Sequence, residues 1–300
     1  MIMPAIVEIS GLSKSFGRTI GVKELNFSVE EGEIFGFLGP NGAGKTTTIR
    51  LMMNFIRPDS GQIYIFGKAV KWGDYKYKRE IGYLPGELRL PPGVKGGALL
   101  DYWNEMSKGG KSERDRWLKA LDFKPDDLHR YTREYSRGMR QKLGVIGALQ
   151  NHPRLAVLDE PSEGLDPLVK HSFLEELKKL GDEGCTIFFS SHVLSEVEHL
   201  ADTAGIIRKG TLVSKEGIED LKSRQLRKKV NLHFIHEADL MEFLRRYPCQ
   251  AERNHLHLSY ISDKTPNDLI NALHGLDIAD FTISQPDLEE IFLEYYQDVD

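Results

Sequence analysis

The chain is short of cysteine, of long apolar runs and of positive charge, and each shortage argues against a class of protein. Its 300 residues hold two cysteines, Cys185 and Cys249. They are far apart and lack metal-ligand spacing, which argues against a disulfide-stapled or zinc-held fold and fits a reducing compartment, with both thiols structural. No stretch approaches the roughly 18 apolar residues that a membrane-spanning helix needs, so any membrane role is expected to run through a partner. The start, residues 1–9, lacks a basic segment followed by an apolar run, so no secretion signal is expected. A formal net charge of −5 argues against nucleic acid as the main partner, because phosphate binding calls for a basic footprint. Internal repeats and low-complexity tracts are also missing.

What is present is an ordinary globular composition, 40% hydrophobic and 28% charged, able to bury a core. The length fits one large domain with a small one, or two modest domains. Residues 1–36 alternate short apolar runs (Ala5-Ile6-Val7-Glu8-Ile9, Leu25-Asn26-Phe27-Ser28-Val29) with turn signals and read as antiparallel strands. Three continuous apolar runs, Ile34–Leu38, Leu155–Leu158 and Thr186–Ser190, have the pattern of strands buried on both faces. Between them lie helical spacings. Ile49, Met52, Met53 and Ile56 predict a helix over Lys45–Ile56 that ends at Pro58, and Phe173, Leu177 and Leu180 predict one opened by Asp166-Pro167. Residues 87–150 are rich in helix-like segments. Strands alternating with helices imply a largely parallel, doubly wound α/β sheet. From about residue 220 the pattern changes. A basic run (Lys222, Arg224, Arg227, Lys228, Lys229) leads into alternating strands at Val230–Phe234 and Leu256–Leu258, helical patterns at Ala238–Arg246 and Pro266–Leu273, and a last helix carrying Leu288, Ile291, Phe292 and Tyr295.

Gly39-Pro40-Asn41-Gly42-Ala43-Gly44-Lys45-Thr46-Thr47 fits G-x-x-x-x-G-K-[ST] between a predicted strand and a predicted helix. Glycines let the backbone wrap so that its N–H groups point inward at phosphate oxygens, and the helix N-terminus adds partial positive charge. Lys45 is expected at the β and γ phosphates, and the Thr46 hydroxyl on Mg²⁺. A solvated lysine on a glycine-rich turn is the bland alternative, made less favourable by the strand–loop–helix setting. Asp159 and Glu160 stand at the carboxyl end of a buried strand, where open α/β sheets bind ligands. Asp159 is expected to hold Mg²⁺, and Glu160 to orient or deprotonate the attacking water.

In this order, over residues 1 to about 215, the motifs resemble the ATP-binding cassette (ABC) ATPases. The resemblance implies a P-loop NTPase cassette at 1–219, with a mainly parallel core sheet, an N-terminal antiparallel β subdomain and a helical subdomain at about 87–150. A small C-terminal α+β accessory domain would follow at 220–300. Tyr135–Gln141 is similar to the family's signature loop, which places Ser136 and Gly138 against the γ phosphate held by the other subunit. Arg137 stands where glycine is usual, as in many exporter-type members. Ser162–Asp166 resembles the loop that crosses between subunits, Asp166 having a competing role as a helix N-cap. His192 resembles the switch histidine that contacts the γ phosphate and the attacking water. Phe16 stands where the family stacks an aromatic ring on adenine, a core phenylalanine being the alternative. Ile81–Pro85 leads in the family to a glutamine on Mg²⁺. Here Gly86 takes that place, and Glu87 follows.

The expected function is therefore an ATP-hydrolysing transporter subunit that binds ATP and Mg²⁺, forms a homodimer and drives a separate membrane permease. Its expected place is the cytoplasmic face of the membrane. The tail Pro286–Phe292 resembles exporter-type subunits. A non-transport cassette ATPase acting on nucleic acid or ribosomes is the alternative, favoured only by the basic run at 222–229. An unrelated P-loop kinase or GTPase would leave Ser136 and His192 unexplained, and no N-K-x-D guanine-reading motif is present.

Overall fold

The computed structural model describes residues 5–107, 112–223, 228–249, 251–262 and 266–284. The expected last helix (Leu288, Ile291, Phe292, Tyr295), the tail 286–292, and Arg224 and Arg227 of the basic run lie outside them. The chain divides into two compact units, Met1–Ile218 and Glu219–Asp300.

The first unit opens with an antiparallel sheet made of β1 (Ala5–Phe16), β2 (Thr19–Glu30), β4 (Ser60–Ile65) and β5 (Lys68–Ala69), in the order β2-β1-β4-β5. Its second sheet has six strands: β3 (Ile34–Leu38), β6 (Ile81–Leu84), β7 (Leu155–Asp159), β8 (Thr186–Ser191), β9 (Thr203–Arg208) and β10 (Thr211–Gly217). They run in the order β10-β9-β3-β8-β7-β6, all parallel except the edge strand β10. Every residue of β3, β7 and β8 is buried, which is why these segments read as unbroken apolar runs. The inner faces of the two sheets share one core, centred on Phe27, Phe35, Phe37 and Phe188, whose ring centroids lie 5.4–6.4 Å apart.

The helices of this unit are α1 (Lys45–Met52), α2 (Gly96–Met106), α3 (Arg114–Ala120), α4 (Arg137–Leu149), α5 (Pro167–Asp182) and α6 (Leu194–Leu200); the short α7 (Ile218–Ser223) starts at its last residue. The α1 helix stops four residues earlier than the spacing predicts, and Pro58 is not the reason. Asn54 takes a left-handed conformation (φ 51°). Its N–H then bonds Leu51 O and that of Phe55 bonds Arg50 O, each at 2.9 Å, a Schellman closure that satisfies the terminal carbonyls. Ile56 still packs on the core, but from the loop. In α5, Asp166 caps the start by accepting from Val169 N at 3.1 Å, Pro167 follows, and Phe173, Leu177 and Leu180 are buried.

The second unit contains β11 (Lys228–Phe234), α8 (Glu237–Arg246), β12 (Glu252–Asn254), β13 (His257–Ser262), α9 (Pro266–Leu273) and β14 (Ile278–Ser284). Its antiparallel sheet has the order β12-β13-β11-β14, the split β-α-β arrangement. Val230, Leu232, Phe234, Leu258 and Tyr260 of the sheet pack on Leu240, Phe243 and Leu269 of the helices.

Phe188 is fully buried at the centre of the aromatic cluster. Phe188→Ala is expected to destabilise the first unit by about 3–5 kcal/mol, measured by denaturant unfolding. A loss under about 1 kcal/mol would contradict this placement of the core.

Candidate functional site

Parallel pairing puts the carboxyl ends of β3, β8, β7 and β6 along one edge. Leu38 lies beside Ser191, Ser190 beside Asp159, and Leu158 beside Leu84. The loops leaving these ends surround a cleft of about 460 Å³ lined by Phe16, Pro40–Gly42, Gly44–Thr47, Tyr83, Pro85–Glu87, Asp159 and Glu160.

Residues 39–44 wrap tightly because their glycines allow it. Gly44 has φ 113°, and a Cβ there would lie 2.5 Å from Gly21 O. The loop is tied down by Ala43 N to Pro40 O (3.1 Å), Gly210 N to Ala43 O (2.8 Å) and Gly39 N to Ser191 O (3.2 Å). The first N–H groups of α1, which starts here, have no acceptor within the helix. Lys45 is 5% exposed. Its ammonium donates to the carbonyls of Gly39 (2.5 Å) and Pro40 (3.2 Å) and lies 3.1 Å from Glu160 Oε1. The loop fits a polyphosphate: a concave row of amides with one buried cation at its floor.

Across the cleft, Thr46 Oγ1 donates to Asp159 Oδ2 at 2.8 Å, bringing together two hard oxygen donors of the kind magnesium prefers. Ser190 donates to the other Asp159 oxygen (2.6 Å) and accepts the Glu160 N–H (3.0 Å). Tyr83 remains a neutral donor here: burial, reinforced by the Asp159 charge, pushes its hydroxyl up to about 12. Glu160 has a left-handed backbone (φ 50°), a conformation that costs a non-glycine residue about 1–3 kcal/mol. The Gln141 side chain, reaching from α4, donates to the carbonyls of Glu160 (3.3 Å) and Pro161 (3.2 Å) and holds this turn. Glu160 Oε2 meets His192 Nδ1 at 2.8 Å. Its contact with Lys45 is ionic but off the hydrogen-bonding angle, so Oε1 has no hydrogen-bond donor.

The motif residues fall into two groups. Lys45, Thr46, Asp159, Glu160 and His192 form one connected constellation, with Phe16 half exposed at the cleft wall rather than in the core. Ser136, Gly138 and Asp166 do not line that cleft. Ser136 caps α4 by accepting from Met139 N at 3.2 Å. Arg137 pairs with Glu163, and a Cβ on Gly138 would lie 3.1 Å from Gly164 O, so the 136–138 and 162–166 segments abut within one chain. Gly86 is seated against Asp159, where a Cβ would come 3.0 Å from Oδ2. Glu87 is mostly exposed and pairs with Arg89 at 2.8 Å, not with Thr46 or Asp159. Ser190 and Gln141 escape a sequence reading, since each acts through a tertiary contact. Two further His and carboxylate clusters, His171/Glu175/His199 and Glu113/His152/Glu183, lie outside the cleft. Arg116 already neutralises the second.

Comparisons with known proteins agree in direction. The family profile described as ABC transporter matches residues 22–163. The chain is 33% identical to the bacitracin transport ATP-binding protein BcrA of Bacillus licheniformis, over 97% of both chains. It is also 33% identical to the linearmycin resistance ATP-binding protein LnrL of Bacillus subtilis (strain 168), over 73% of this chain and 71% of that one. Among solved structures it resembles an ATP-binding subunit of an ABC transporter (28% identity, TM-score 0.67, 73% of this chain and 92% of that). At 21% identity, a dimeric ATP-binding cassette bound to ADP and Pi shares the fold (TM-score 0.62, 71% and 98%).

Gly44→Ala is expected to weaken ATP binding at least about tenfold through backbone strain and the Gly21 clash while the chain stays folded. Fluorescent-nucleotide titration beside circular dichroism checks this, and unchanged affinity would contradict the cradle.

Proposed function

Because the chain belongs to the ABC transporter family and is an ATP-binding, ATP-hydrolysing subunit of it, we propose that it works as a head-to-tail homodimer that closes around two ATP molecules and drives a separate membrane permease in export. The observation that carries the dimer is the division of the site. Lys45, Asp159 and Glu160 line one cleft and His192 joins it through Glu160, whereas Ser136 and Gly138, the motif residues resembling a γ-phosphate contact, do not line it. A second copy can supply them.

In this reading Phe16 stacks on the adenine, the 39–47 loop encloses the phosphates, and the Lys45 ammonium leaves Glu160 Oε1 for the β and γ oxygens. Thr46 and Asp159 would hold Mg²⁺, which supplies charge neutralisation to the phosphates when bound. Glu160 takes the proton from a water attacking the γ phosphorus in line, and the bond to the ADP oxygen breaks. His192 fixes the Glu160 carboxylate through the 2.8 Å contact. Hydrolysis removes the γ phosphate on which Ser136 and Gly138 of a second copy would close, so dimer closure and chemistry are linked.

Among the described residues no helix is long and apolar enough to cross a membrane, so the permease is a separate chain in this proposal. Its seat is the groove of about 940 Å³ beside the cleft, whose lining includes Phe55, Tyr75, Tyr83, Leu88, Trp103 and Met106. Phe55, Tyr75 and Met106 are exposed there, and an apolar groove of this kind accepts a helix from a partner. Export as the direction draws on the relative named for linearmycin resistance, since outward removal of a toxic compound is one way to resist it.

Glu160→Gln is expected to keep ATP binding and lower turnover at least about 100-fold, the scale of general-base loss. With turnover blocked, sedimentation should show a dimer that depends on ATP and Mg²⁺. A monomer at saturating nucleotide would count against the shared site. Lys45→Ala should instead weaken nucleotide binding, read by titration; normal affinity would remove its role.

A further inference from the structure

Glu196 lies on the first turn of α6 and is 4% exposed. A carboxylate this deep is disfavoured unless fully partnered, and its partners are unusual in where they lead. Ser162 Oγ donates to Oε1 at 2.6 Å, and Ser191 Oγ donates to Oε2 at 2.8 Å. The ammonium of Lys170, near the start of α5, pairs with Oε1. Ser191 Oγ also accepts the N–H of Val193 at 2.9 Å, so the side chain reaches across His192 to the backbone that follows it. Ser162 follows Glu160 by two residues. One carboxylate thus spans the two segments whose side chains form the Glu160–His192 contact.

We propose that Glu196 is a positioning residue for ATP hydrolysis: it holds the 160–162 turn and the 191–193 segment at the separation that keeps His192 on Glu160. This rests on the reading of Glu160 and His192 given above. Glu196 itself touches neither reacting atoms nor the cleft, and acts through the two serines. Lys170 places a positive charge against the same carboxylate on which both hydroxyls converge.

The test uses the full chain and steady-state ATP hydrolysis. Glu196→Gln preserves shape, but its amide nitrogen cannot accept, so one of the two serine bonds must reverse or break, and the ion pair with Lys170 is lost. A small misplacement of paired groups costs rate rather than binding. The expected result is kcat lowered about tenfold or more, with KM and nucleotide Kd within about threefold of the parent. A structural ion pair alone would lower the melting temperature without this split. If the effect runs through His192, adding Glu196→Gln to His192→Ala produces no further loss. A kcat for Glu196→Gln within about twofold of the parent, or a loss that multiplies in full with His192→Ala, would overturn the proposal. Ser162→Ala and Ser191→Ala, each deleting one hydroxyl, give the same reading if Glu196→Gln does not fold, and normal kcat in both would also overturn it. Normal turnover in Glu160→Gln would remove the underlying reading and this proposal with it; normal turnover in Glu196→Gln alone would remove only the proposal.

Discussion

Parallel pairing of β3, β8 and β7 in one register is the constraint from which the site follows. It sets Ser190 beside Asp159 and Ser191 beside Leu38, so the phosphate loop, the two carboxylates and His192 leave the sheet at neighbouring points. The pairing is held from below by the aromatic cluster, in which Phe35 and Phe37 of β3 and Phe188 of β8 pack on Phe27 of the other sheet. The same burial makes charge at the strand ends costly. Asp159 is 1% exposed, and an ionised carboxylate there needs several kcal/mol of compensation. Ser190 and Thr46 supply it, one hydroxyl to each oxygen.

Gly44 and Glu160 each take a positive φ in the site, and each has a contact that holds it. Gly44 takes a conformation that only glycine adopts at low cost, and the loop it serves is anchored to Ser191 and Gly210. Glu160 takes one that a glutamate adopts at a cost, and is held by Ser190 at its N–H and Gln141 at its carbonyl. Gln141 belongs to the helix that Ser136 caps. The turn that carries Glu160 is therefore fastened to the helical part of the unit as well as to the sheet.

Much of this was legible in the sequence, and the limits have physical causes. Buried parallel strands must be apolar throughout, so Ile34–Leu38 and Leu155–Leu158 announce themselves, and the glycines and lysine between strand and helix mark the phosphate loop. The end of α1 was misplaced because Asn54, an inconspicuous residue, does the terminating that Pro58 was expected to do. The alternation in the second unit signals strands, but the order β12-β13-β11-β14 depends on long-range pairing with no local signal. Gln141, Ser190 and Glu196 are missed for a common reason. Each is polar, within or next to apolar sequence, and its role lies entirely in partners 5 to 34 residues away.

The 136–138 segment, which does not line the cleft, is joined to it by contact. Arg137 pairs with Glu163, and Gly138 abuts Gly164. Ser162, in the same turn, meets the Glu196 carboxylate, whose other oxygen receives Ser191 beside His192. Any change in how the 136–138 segment is held therefore has an unbroken path of packed and hydrogen-bonded groups to the histidine. Contiguity of this kind is a physical route for coupling. It does give a reason for burying a glutamate where a leucine would pack at lower electrostatic cost. A leucine would fill the space, but it could not bind two hydroxyls from two loops and so hold their spacing.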